Sequence, residues 1–209
     1  MNSPADQGIL DAAPDADRRK LLTAATGLVG TAGIAAAFVP FVASMNPSER
    51  ARAGGVPVNV DFARLGPGEL LRQEWRGKSV WILHRTVMML SALESPAHRA
   101  RIADPDSRVT SQQPPYARNE FRSIKPEYLV LVSICTHLGC VPTFRPEVAP
   151  PDLGPDWPGG YFCPCHGSKF DLAGRVYRNV PAPTNLVVPP HHYLSAKVVR
   201  IGENPERTT

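Results

Sequence analysis

Hydrophobic positions form one long run near the N-terminus and several short runs beyond residue 55. Residues 21–43 carry no charge and follow directly on Arg18, Arg19 and Lys20. About 20 apolar residues rising 1.5 Å each cross a ~30 Å hydrocarbon core, so this stretch predicts one transmembrane helix. A cleavable signal peptide is the competing reading, but its apolar region usually runs to only ~7 to 15 residues, whereas this one continues through Phe38, Val39, Phe41 and Val42. The basic flank marks the cytoplasmic side. Residues 1–20 then form a cytoplasmic tail, and everything beyond a single-pass anchor in the bacterial inner membrane faces the periplasm. Arg18-Arg19 also reads as a twin-arginine export signal that stays attached.

Residues 44–55 are small and polar, end in Gly54-Gly55, and predict a flexible hinge. From 56 to 209 the pattern changes to short strand signals: 56–60, 70–75, 80–83, 128–134 and 196–201. The second and third should pair antiparallel across a turn at Arg76-Gly77-Lys78. Thr86 suits the cap of a brief helix through Leu93 that Pro96 ends. Residues 97–126 are polar, carry Pro105, Pro114 and Pro115, and read as a long surface excursion. Strands do not alternate with helices, so an all-β antiparallel sandwich is favoured over βαβ units.

Proline, 23 of 209 residues, stands at about twice the usual ~5%, which suits loops and strand edges rather than long soluble helices. The net charge of +4 is mild and no Lys/Arg block of the nucleic-acid-binding kind occurs. No nucleic acid is expected as a partner.

All four cysteines fall in two short stretches, Cys135-Thr-His-Leu-Gly-Cys140 and Cys163-Pro-Cys-His-Gly-Ser168. Each offers a thiolate beside an imidazole, Cys135 with His137 and Cys163 with His166, and each keeps a second cysteine, Cys140 and Cys165. Two Cys on one iron and two His on the other is the ligand set that separates a Rieske [2Fe-2S] centre from a Cys₄ cluster. The remaining cysteines can then join in a disulfide that staples the loops. A Cys₂His₂ zinc site is the rival, but it explains neither the second cysteine pair nor the Gly-Ser after His166. The other histidines, His84, His98, His191 and His192, have no cysteine nearby in sequence and read as ordinary surface residues.

The two stretches resemble the Rieske iron-sulfur subunit of the cytochrome bc complex, as do the basic-flanked anchor and its exit at residues 41–48, Trp81-Ile-Leu-His-Arg-Thr86 and the proline loop Pro181-Ala-Pro-Thr-Asn-Leu186. The resemblance implies a Rieske-type sandwich head, 56–209, with a small cluster-binding subdomain formed by loops 134–145 and 160–172. It further implies one [2Fe-2S] cluster held by Cys135, Cys163, His137 and His166, with the two imidazoles exposed at the tip. His166 would accept a hydrogen bond from quinol and take a proton with the electron, with His137 beside it. Leu138, Gly139, Pro181 and Pro183 would dock on a cytochrome b subunit, and Ser168 would donate to a bridging sulfide. The partners implied are cytochrome b, a cytochrome c-type subunit and quinol, within a dimeric membrane-embedded complex. The chain would thus be the electron-transfer subunit of a quinol:cytochrome c oxidoreductase; the alternative is the Rieske small subunit of a periplasmic molybdenum oxidase such as arsenite oxidase. Two positions depart from the family pattern. Phe170 stands where tyrosine is common, and Val180 where glycine commonly precedes the proline loop.

Overall fold

The computed structural model describes residues 15–48 and 55–205, in two compact units that lie within residues 1–50 and 51–209. Residues 1–14 of the expected tail and 49–54 of the expected hinge lie outside the described residues.

The first unit is helix α1 (Ala16–Ser44), which starts five residues before the expected span. Asp15 caps it, its carboxylate accepting from the Asp17 N–H at 3.1 Å. No residue of α1 is buried, so its apolar surface meets no protein core. Thr23 and Thr31 donate their hydroxyls to the Arg19 and Gly27 carbonyls at 2.8 and 2.7 Å, which satisfies them internally as a span in hydrocarbon requires. The helix has the length and composition of a membrane span.

Among the described residues the head contains nine strands in three antiparallel sheets, with strand orders β1-β9-β8, β2-β3-β4 and β5-β6-β7. The strands are β1 (Val58–Asp61), β2 (Leu70–Trp75), β3 (Lys78–His84), β4 (Tyr128–Val132), β5 (Thr143–Arg145), β6 (Gly160–Phe162), β7 (Lys169–Phe170), β8 (His191–Tyr193) and β9 (Val198–Ile201). The middle sheet is covered on both faces. Successive side chains of a strand point to opposite sides, so Trp81, Leu83, Leu129 and Leu131 enter one core with Tyr161, Phe170, Cys135 and Cys163. Val80, Ile82, Val130 and Val132 enter the other with Val60, Phe62, Val199 and Ile201. Burial on both faces is why β3 and β4 read as continuous apolar runs. The β2–β3 connection is a two-residue turn, Arg76 and Gly77, with φ of 53° and 66°, which matches the twist of a type I′ hairpin. Lys78 already belongs to β3, where it pairs with Trp75.

Helix α2 (Val87–Glu94) is capped as expected, the Thr86 hydroxyl accepting from Met89 N–H at 3.2 Å. Pro96, however, opens a further helix, α3 (Pro96–Ala100), at the position where a missing N–H is harmless. The largest difference from expectation is residues 97–126. They are no surface excursion: His98, Ile102, Ala117, Arg122 and Ser123 are buried, Arg122 fully.

Candidate metal centre

The two cysteine stretches share one backbone design. In the first, Cys135 N–H donates to the Cys140 carbonyl at 2.7 Å and Gly139 N–H returns to the Cys135 carbonyl at 3.0 Å. In the second, Cys163 N–H donates to the Ser168 carbonyl at 2.8 Å and Gly167 N–H returns to the Cys163 carbonyl at 2.9 Å. Gly139 and Gly167 both take positive φ, 83° and 76°, a conformation that glycine adopts without steric cost. The first loop follows β4, and the second joins β6 to β7.

The loops bring thiol to thiol and imidazole to imidazole, Cys135 to Cys163 and His137 to His166. Cys135 and Cys163 are buried and carry free thiols, and burial pushes the Cys135 thiol above its ordinary value. Cys140 and Cys165 form a disulfide with Cα atoms 6.7 Å apart. The Sγ atoms of Cys140, Cys163 and Cys165 lie within 4.8 Å of one another, but the disulfide leaves only Cys163 of the three able to bind metal. The rings of His137 and His166 lie edge to face, with centroids 4.8 Å apart. Two buried free thiols and two adjacent imidazoles on the same pair of loops, with the other two sulfurs joined in a disulfide, match in kind the donors of a Rieske cluster.

The proline loop, residues 181–186, is tied to both stretches. Thr136 donates its hydroxyl to the Thr184 carbonyl at 2.7 Å, and Ala182 N–H donates to Ser168 Oγ at 3.1 Å. Ser168 is fully buried, and while it accepts from Ala182 its side chain also hydrogen-bonds the Cys135 thiol. Leu138, Gly139, Pro181 and Pro183 are exposed. At the Val180 departure, the left-handed conformation falls one residue earlier, on Asn179 at φ 58°.

Behind the second loop lies a polar network that the motif does not announce. Asp171, fully buried, accepts from Arg175 Nε at 2.7 Å, from His98 Nε2 at 3.1 Å, and from the Ala173 and Arg175 backbone N–H groups. Burial alone would raise its carboxyl, but Arg175, His98 and the backbone donor outweigh this and hold it below the usual carboxylate range. Arg122 donates to the carbonyls of Ala173, Gly174 and Leu186 and to Gln113 Oε1, which binds the segment after β7 to the proline loop. Arg85 holds the Pro126, Phe121 and Leu172 carbonyls. Burial lowers both guanidinium groups to about 10, still charged at neutral pH. His98 and His191 are therefore not surface residues. Burial also lowers His191 from its ordinary value.

Two family models match the chain: "Rieske [2Fe-2S] domain" over residues 97–190 and "Ubiquitinol-cytochrome C reductase Fe-S subunit TAT signal" over residues 11–48. The ubiquinol-cytochrome c reductase iron-sulfur subunit of Allochromatium vinosum is 60% identical over 90% of this chain and 89% of that protein. The chain belongs to the ubiquinol-cytochrome c reductase iron-sulfur subunit family. Subunits of the same name from Blastochloris viridis and Bradyrhizobium diazoefficiens are 42% and 36% identical, over 90% and 88% of this chain and 94% of each of theirs. As a member of this Rieske family the chain carries a [2Fe-2S] cluster. The family match begins at residue 97, so the segment first read as a surface excursion is part of the Rieske domain. The relatives lend no support to the arsenite oxidase alternative. The match at residues 11–48 and the apolar helix α1 together fit a single-pass membrane anchor.

Proposed function

We propose that the chain is the electron-transfer subunit of a quinol-oxidising cytochrome bc complex, with Cys135 and Cys163 binding one iron and His137 and His166 the other. The observation that carries this reading is the sorting of the sulfur atoms: the Cys140–Cys165 disulfide leaves two buried free thiols, one on each of the loops whose imidazoles lie edge to face. The cluster supplies one-electron chemistry at a potential raised by imidazole ligation. His166 is exposed, so its ring nitrogen not used for iron can meet a quinol hydroxyl and hold the proton that leaves with the electron. Leu138, Gly139, Pro181 and Pro183 form an exposed apolar collar around that position and exclude water where cytochrome b would dock. The head works on the periplasmic side, takes one electron per visit from quinol and gives it to a cytochrome c-type haem, within a dimeric complex.

Iron, sulfide and EPR analysis of the head, residues 56–209, matured with cluster-assembly machinery tests the ligand set. Two irons and two sulfides are expected, with an average g below the free-electron value on reduction. Zinc in their place would sink it.

Phe170 gives a sharper test. Its ring is fully buried in the core that contains Cys135 and Cys163, so Phe170→Tyr places a hydroxyl near the ligands. A donor to a cysteine sulfur favours the reduced, more negative form. At ~1 kcal/mol for the bond, the potential should rise by roughly 40 mV. Redox titration of both heads at one pH, followed by circular dichroism, reads the shift; an unchanged or lower potential would mean that the hydroxyl does not reach the sulfur.

A further inference from the structure

A cleft of about 560 Å³ opens on the flank of the second cysteine loop, bounded there by Gly167 and by Val180 at the start of the proline loop. Its floor is aromatic: Trp157 and Tyr177 are buried and stack with centroids 5.8 Å apart. The lining carries three cations, Arg101, Lys169 and Arg178, against one carboxylate, Asp156. Arg101 lies 3.6 Å from Asp156 and leans over Tyr177 at 5.3 Å, so its charge is met within the chain. The other two are not matched in this way. Arg178 uses Nε on the Ile102 carbonyl at 3.1 Å, and among the described residues the Lys169 ammonium reaches the Leu153 carbonyl at 3.3 Å and no carboxylate. Asp152, a carboxylate that feels Lys169, is already held by Arg145 through two bonds of 2.8 and 2.9 Å. Two cations that, among the described residues, meet carbonyls rather than carboxylates, beside an aromatic floor, suit the carboxylates of an acidic protein segment.

We propose that this cleft docks an acidic segment of the haem-bearing electron acceptor; the assignment rests on the function proposed above. The exposed apolar collar at the tip suits a longer-lived, water-excluding contact. The charged flank suits the other kind, since electron-transfer encounters use small interfaces and complementary charge speeds association more than it adds affinity. Anything seated in the cleft would lie beside the loop that carries His166, so docking there brings the acceptor to the exposed end of the site.

The test uses the complex purified from membranes, with cluster and haem both reduced. A laser flash on a ruthenium photo-oxidant oxidises the haem, and its re-reduction by the cluster is timed. The pair Lys169→Glu and Arg178→Glu should slow that step about tenfold, with the cluster potential titrated in parallel to account for any change in driving force. The wild-type rate should fall as salt rises, and the variant's should not. Lys169→Gln with Arg178→Gln should lie between the two, and an unaltered circular dichroism spectrum excludes misfolding. Wild-type kinetics in the charge-reversed complex would overturn the proposal. Slowing confined to quinol oxidation would do the same, since the acidic segment would then belong to the quinol-site partner. If the wild-type haem drew no electron from the cluster, the functional reading would fall and the cleft's assignment with it.

Discussion

Asp171→Asn should destabilise the head by about 3–5 kcal/mol, the usual result of removing one member of a buried ion pair and leaving the other charge uncompensated. Arg175 would be the stranded partner: both of its Nη atoms lack a hydrogen-bond partner among the described residues, and its Nε bonds Asp171. Asparagine keeps the shape, so the loss measures charge rather than volume. The folded carboxyl is held below the usual range, hence below its unfolded value of about 3.9. Its contribution is fully present above that pH and is lost as pH falls through the folded value. The gap between wild type and variant should therefore stay constant from pH 7 to about pH 5 and shrink progressively in stronger acid. Urea unfolding at several pH values, followed by circular dichroism, checks both statements. A difference under about 1 kcal/mol at pH 7 would mean that water or another group takes over the carboxylate's role.

The second large effect belongs to the disulfide. Cys140 and Cys165 are 25 residues apart, and the chain-entropy relation gives about 3.5 kcal/mol for closing a loop of that size. Cys140→Ser with Cys165→Ser should lower the unfolding midpoint accordingly and speed loss of iron from the oxidised head, because two loops otherwise joined at their outer rim are freed. An iron content and midpoint equal to those of the wild type would show that the backbone hydrogen bonds within each loop hold the pair without the staple.

Much of this structure was legible before any coordinates. The uncharged run announced α1, the apolar runs announced β3 and β4, and Thr86 announced the start of α2, because each signal is local to the element it forms. The candidate donors stand together in the sequence for the same reason, since each thiol and the imidazole proposed to act with it lie within three residues. The doubled backbone design was also within reach: a glycine stands four residues after the leading cysteine in both stretches, at Gly139 and Gly167. The buried network carried no such mark. Arg122 is satisfied by carbonyls 51, 52 and 64 residues away, and His98 by a carboxylate 73 residues away. A charged side chain in a polar, proline-rich segment reads as solvated until the fold supplies those acceptors.

The outer sheet carries a consequence for how the protein is made. Strand β1 pairs with β9, Val58 opposite Ile201, so the first strand of the head waits for the last before it gains a partner. A ribosome delivers the chain from the N-terminus, and α1 emerges long before β9 exists. The anchor is thus available for recognition while the head is still topologically incomplete, and the β1-β9-β8 sheet can close only once β9 has been made. A chain that stopped before Val198 would lack β9 and, with it, the strand that joins β1 to β8.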